Sequence, residues 1–254
     1  MINCKKIKNL QGENIFVESY EPRIIKGTIV LCHGITGCRK GRTMADNYFQ
    51  VLANRLMDLN FKVVLFDFSG HGESEGNDYD VCLSKNASEL EMILKQEAVG
   101  DVSFLAFSYG TAVLCYFLQT HVSFSPRRIA MISPCLYPNQ SCFLTTKSIF
   151  GKDVVKGIEN GEMDKNGYCV VGAKNFKLGK RIIEECKNFS PEYLTKFNNI
   201  SLVLSGSDDV ILDKSYNDEF CKKHSFKQVY LKASHSLYEE IEKAFDLIIE
   251  FFTK

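Results

Sequence analysis

Seven short runs of the chain are rich in Val, Ile, Leu and Phe: IFVESY (15–20), TIVLCH (28–33), KVVLFD (62–67), VSFLAF (102–107), RRIAMIS (127–133), ISLVLSG (200–206) and FKQVYLKA (226–233). Apolar runs of this length, broken by polar and glycine-containing stretches, predict β-strands. Between the central runs, NYFQVLANRLMDLN (47–60) and SELEMILKQEA (88–98) repeat their apolar positions every three to four residues, as does LYEEIEKAFDLIIEFF (237–252) near the C-terminus. That period predicts amphipathic helices. Strand alternating with helix predicts an α/β fold, a mostly parallel sheet with helices on both faces.

One interval breaks the alternation. From Pro134 to about Lys196 the chain carries SPCLYPN, several glycines and a single helix-like stretch, GKRIIEECKNF. It is too long for an ordinary connection, and long irregular segments are usually functional. Ligands of open parallel sheets bind at the C-terminal edge of the strands. The expected organisation is therefore one α/β core, residues 1–133 and 197–254, interrupted by a cap insertion at 134–196 that lies over that edge.

Composition narrows the partners. With 254 residues and 45% hydrophobic content, the chain can bury one large α/β core. Lysine plus arginine equals aspartate plus glutamate, 31 each, which leaves no basic field for nucleic acid or an anionic membrane. The partner is expected to be a small molecule. MINCKKIKNL at the start lacks an apolar stretch behind its charges, and no run approaches the roughly 18 apolar residues of a membrane span. A cytoplasmic location is the expectation. Ten cysteines without any CxxC, and histidines without ligand spacing, predict reduced thiols and no metal or other cofactor.

Each candidate chemical group follows a predicted strand. HGITG (33–37) after TIVLCH can bend so that backbone N–H groups point inward, a shape suited to an anion. FSGHGESEG (68–76) after KVVLFD holds His71, which is expected to bond local backbone in a turn. At the end of VSFLAF, Ser108 sits in A-x-S-x-G, a nucleophile elbow with Ala106 in place of the first glycine. The helix predicted behind it would add unpaired N–H groups and a positive dipole end. A serine hydroxyl needs a base and the base needs an orienting acid. LVLSGSDDVILD offers Asp208 and Asp209 after a strand, and VYLKASHSLYEE offers His235 after the last one. Among His33, His71, His121, His224 and His235, only His235 combines a post-strand loop with a place downstream of an acidic loop.

Taken together and in order, HGITG, DFSGHGESEG, AFSYG, GSDDVI and ASHSLYE resemble the α/β-hydrolase superfamily from about residue 28 to the end of the chain. The resemblance implies the α/β-hydrolase fold and a triad in the chain order Ser, Asp, His. It implies an acid three residues beyond the strand-end glycine, which favours Asp209 over Asp208, and an oxyanion hole formed by the backbone N–H groups of Ile35 and Tyr109. HGITG and the size of the insertion resemble small capped bacterial esterases, including cinnamoyl and feruloyl esterases. Where feruloyl-type members tend to carry a tyrosine that reads the phenol, this chain offers Lys177. FKLGKRIIEECKNF followed by SGSDDV bears a weaker resemblance to acyl transferases and thioesterases that supply fatty acid to bacterial luminescence, which lack the A-x-S-x-G elbow. The implied activity is cleavage of small or medium carboxylic esters through an acyl-enzyme. Thioester cleavage or acyl transfer, peptide cleavage, and ligand binding without catalysis are the alternatives. Phe143, Phe150, Tyr168 and Phe176 are candidate pocket-wall residues of the insertion.

Overall fold

A computed structural model describes residues 1–254. The seven predicted runs form strands β2 (Asn14–Tyr20), β3 (Gly27–Cys32), β4 (Phe61–Phe66), β5 (Val102–Phe107), β6 (Ile129–Ile132), β9 (Ser201–Gly206) and β10 (Lys227–Leu231). An eighth strand, β1 (Ile2–Lys8), pairs antiparallel with β2 and was not legible as one. It is an edge strand exposed at every residue but Ile7, so no buried face imposes a pattern on its sequence. The sheet order is β1-β2-β4-β3-β5-β6-β9-β10. β2 runs antiparallel to β4, and every pairing from β4 to β10 is parallel.

Alternate residues of the central strands enter two separate cores. Val30, Val64, Phe104, Met131 and Val203 face helices α2 (Leu83–Glu97) and α3 (Tyr109–Thr120). Their neighbours Leu31, Leu65, Leu105, Ala130 and Leu204 pack with α1 (Tyr48–Asp58) and α8 (Ile241–Thr253) on the other face. A strand sandwiched between helix layers must be apolar at both alternations, which is why these runs read as continuous rather than alternating. The final helix starts later than the periodicity suggests, because Tyr238–Glu240 forms a 3-10 turn in front of it.

Between β6 and β9 the chain adds no strand to this sheet. It forms α4 (Ile149–Glu159), α5 (Glu162–Asn166), an antiparallel hairpin of β7 (Tyr168–Val171) and β8 (Phe176–Gly179), and α6 (Lys180–Lys187). The helix α7 (Ser215–Lys223) joins β9 to β10. No helix is long and apolar enough to cross a membrane, and all ten cysteines are free thiols. From β3 the chain moves to β4 on one side and then to β5 on the other, so the loops leaving β3 and β5 meet at a topological switch point.

Candidate active site

Strand β5 is buried along its whole length and breaks at Ser108, whose φ of 51° and ψ of −120° are unusual for a residue with a side chain. Such a conformation costs about 1–3 kcal/mol and persists only where its surroundings hold it. Three backbone hydrogen bonds do so: Ser108 N–H donates to Ile132, and its carbonyl accepts from Thr111 and Cys135. The turn is tight enough that a Cβ at Gly110 would lie 2.2 Å from the Cys32 carbonyl oxygen. Gly34 is similarly confined, since a Cβ there would reach 3.0 Å from the Phe107 ring and 3.2 Å from the Ser108 Cβ. Ala106 packs fully buried beside Cys32 and Met131, and its single methyl is accommodated.

His235 meets this elbow from the loop after β10. Its Nε2 lies 2.9 Å from Ser108 Oγ, and its Nδ1 lies 2.7 Å from Asp209 Oδ2. With Asp209 ionised, Nδ1 must carry the proton and Nε2 is left to accept one from the serine. The second Asp209 oxygen accepts from the N–H groups of Ile211 (2.8 Å) and Leu212 (3.2 Å). Burial works to raise the Asp209 pKa, but the hydrogen bond and charge of His235 and the two backbone donors outweigh it and hold the carboxyl below its ordinary value. Asp208 is exposed and accepts only from the neighbouring Ser207 hydroxyl (2.9 Å). Gly206 makes the crossing of the two loops possible, because a Cβ there would sit 2.4 Å from the carbonyl oxygens of Ala233 and Ser234.

The loop after β3 supplies backbone donors. His33 accepts the Phe68 N–H at Nε2 (3.0 Å), so its proton is on Nδ1, which donates to the Gly34 carbonyl at 2.8 Å. Burial pushes this imidazole down to about 4, so it stays neutral. The Gly37 N–H also closes on Gly34, across a turn that contains Thr36 at a φ of 61°. With the Gly34 carbonyl held in this way, the Ile35 N–H has no hydrogen-bond partner within the protein. The Tyr109 N–H, first in α3, belongs to the donors that helix geometry leaves without an intrahelical acceptor. The Tyr109 side chain is buried on the far side and donates to Asn86 Oδ1 (3.0 Å). His71 is packed against His33 and the Phe176 ring, bonds the Ser69 carbonyl at 3.0 Å, and is pushed down to about 3 by burial.

A network that the sequence did not disclose anchors these loops. Arg39 is buried and ion-paired with Glu18 (2.9 Å), Asp67 (2.6 Å) and Glu73. Asp67 also accepts from the backbone of Arg39 (2.6 Å) and Glu73 (2.9 Å). Glu18 and Arg39 lie in stretches with no distinguishing spacing, and the sheet order β2-β4-β3 brings β2 close to the loop after β3.

The groups converge on a cleft of about 280 Å³ lined by Ile35, Ser108 and His235, with Phe107, Val210 and Ile211 as apolar wall. Of the four insertion aromatics expected to line it, only Phe150 does. Phe143 is core, Phe176 covers His71, and Tyr168 stacks on Tyr79 at 5.9 Å. Lys177 lies over the Tyr168 ring and not in the cleft, whereas Arg42 and Lys174, which the pattern did not single out, line it. No group of three or more His, Cys, Asp or Glu side chains is arranged to hold a metal ion.

Residues 27–147 match the family described as the alpha/beta hydrolase fold. No curated protein matches the chain by sequence. Among solved structures, the chain is similar to Est1E from Butyrivibrio proteoclasticus with ferulic acid bound, at 14% identity and a TM-score of 0.74 over 100% of this chain and 98% of that one. An esterase from Exiguobacterium antarcticum aligns at 15% identity and 0.74 over 98% and 99% of the two chains. Alpha/beta hydrolase domain-containing protein 10 from mouse aligns at 14% and 0.70 over 99% and 98%. The chain has the α/β-hydrolase fold, as its motifs lead one to expect.

Proposed function

We propose that this protein is a serine hydrolase that cleaves carboxylic esters through an acyl-enzyme. The observation that carries the reading is the continuous contact from Ser108 through His235 to Asp209, at 2.9 and 2.7 Å, at the mouth of an apolar cleft. His235 Nε2 takes the Ser108 proton as the hydroxyl oxygen attacks the ester carbonyl, and the ionised Asp209 stabilises the imidazolium that forms. The negative charge on the tetrahedral oxygen is met by the N–H groups of Ile35 and Tyr109 and by the positive end of α3. His235 then protonates the departing alcohol. In the second half a water molecule takes the alcohol's place and gives a proton to His235 as its oxygen attacks the acyl carbon. The tetrahedral intermediate then breaks its bond to Ser108 Oγ, releasing the acid as His235 returns that proton to the serine.

In this reading residues 134–196 act as the cap and Phe150 forms its part of the acyl-binding wall. The strained Ser108 backbone supports the assignment, since residues held in sparsely populated conformations cluster at functional sites. The likeness to esterases of the same fold agrees with it. The test is labelling by a fluorophosphonate followed by peptide mapping. Modification of Ser108 in the wild type, lost in Ser108→Ala and strongly slowed in His235→Gln, is the expected result. An unlabelled Ser108 in folded protein would remove the nucleophile from the mechanism.

A further inference from the structure

Two cations line the cleft beside Ser108 and His235 without taking part in the reaction as written: Arg42, in the loop after β3, and Lys174, at the tip of the β7–β8 hairpin. The Lys174 ammonium donates to the carbonyl oxygens of Thr36 (2.5 Å) and of Arg42 itself. One positive charge is therefore tied to the backbone of the residue that carries the other. Arg39, three positions earlier, has three carboxylate partners. Arg42 has none, and its guanidinium lies 4.1 Å above the Tyr238 ring. The nearest carboxylates make their hydrogen bonds elsewhere, Asp46 accepting the Thr43 N–H (2.8 Å) and Glu239 the N–H and hydroxyl of Ser234 (both 3.0 Å), and they offset part of the Arg42 charge without pairing with its guanidinium. None of the cleft-lining residues is Asp or Glu.

An anion entering this cleft meets two positive side chains and no carboxylate among the lining residues. The planar fork of an arginine matches the two oxygens of a carboxylate. The same cleft is lined by Phe107, Phe150, Val210 and Ile211, suited to a hydrocarbon body. We propose that the cleft selects esters bearing a second, ionised carboxylate, which Arg42 binds while Lys174 fixes that wall and adds its charge. The proposal rests on the ester-hydrolase reading and names its substrate class.

The test compares matched pairs of esters that differ only in charge. Mono-4-nitrophenyl glutarate and its methyl ester place the carboxylate on the acyl side, and 4-acetoxybenzoate and its methyl ester place it on the leaving side. The expected result is a kcat/KM ratio of acid to methyl ester of about ten or more in at least one pair at low salt, falling as ionic strength rises. Arg42→Gln should lower that ratio about tenfold, and Arg42→Lys, which keeps the charge but not the fork, should retain only part of it. Ratios near or below one in both pairs, or a ratio unmoved by Arg42→Gln, would overturn the proposal. If no ester of either pair is hydrolysed, the reaction assignment fails separately, and calorimetric titration with glutarate and 4-hydroxybenzoate then decides the anion site. Binding that Arg42→Gln abolishes upholds it, and no binding to the wild-type protein sinks it.

Discussion

The loops after β3 and β4 and the loops after β9 and β10 leave the same edge of the sheet and carry the same residue types, yet they are put to different uses. In the first pair, His33 spends both ring nitrogens on backbone and Asp67 is bound by the buried Arg39. In the second, His235 spends its nitrogens on two side chains, one of them a hydroxyl in the cleft, and Asp209 binds His235. A histidine and an aspartate at a sheet edge thus say little by themselves. What separates the two pairs is the far partner of the histidine, fixed backbone in one and a cleft hydroxyl that could exchange a proton in the other.

The largest effect expected from breaking this difference is at the shared end point. Ser108→Ala should remove ester turnover while the fold persists, because the hydroxyl lies at the rim of the cleft and its loss opens no core cavity. Residual catalysis more than roughly 10⁴-fold above the buffer rate would exceed what oxyanion stabilisation and binding supply, and would move the nucleophile elsewhere. Unfolding midpoints measured beside the rates show whether the fold has survived.

Exchanging the two aspartates for asparagine sharpens the comparison. Asp209→Asn should cost about 10⁴-fold in kcat with little change in unfolding midpoint, since an amide opposite Nδ1 favours the wrong imidazole tautomer. Asp208→Asn, with no contact to His235, should stay near wild type in rate. Asp67→Asn should do the reverse of Asp209→Asn and destabilise the fold by about 1–3 kcal/mol, because an amide cannot accept from the Arg39 guanidinium and from both backbone N–H groups, while Glu18 and Glu73 still pair the guanidinium. Urea unfolding and steady-state kinetics on the three variants test the division. A stability loss at Asp209 equal to that at Asp67 would erase it.

The division also explains what could be read in advance. The strands that lead to Ser108 and Asp209 are buried on both faces, so their apolar runs stand out, whereas β10, which leads to His235, is a half-exposed edge strand; the loops that follow are placed by the runs themselves. Ser108, Asp209 and His235 could be picked out as candidates because each follows the end of a predicted run by one to three residues. The Arg39 network was not, because its carboxylates come from β2 and from the loop after β4, and charge spacing along the chain holds no trace of a contact made through strand pairing. The insertion was legible only as a break in the rhythm. Its elements are short, half-exposed and packed on one another, so Phe150 and Phe143 look alike in sequence although one lines the cleft and the other is core.

The smallest expected effect concerns pH and distinguishes the scaffold histidines in solution. Folded His33 and His71 are held down to about 4 and about 3, while an unfolded histidine titrates near about 6.5. Above that unfolded value neither state binds a proton at these sites, and their contribution to stability is fully present. As pH falls from about 6.5 toward 4, the unfolded chain takes up protons that the native fold refuses, so stability is lost on acidification. Each group should cost about 2 kcal/mol between pH 7 and pH 5, a range that lies above most carboxylate titrations. His71→Gln should remove one proton's worth of this dependence, keeping a donor for the Ser69 carbonyl while deleting a buried Nε2 that has no partner. Urea midpoints at pH 7, 6 and 5 measure it: the variant's loss of stability should be about 2 kcal/mol smaller than the wild type's over that span. Parallel curves for the two proteins would mean that His71 is protonated in the native fold at pH 5, and the buried neutral pair behind the Ile35 loop would have to be abandoned.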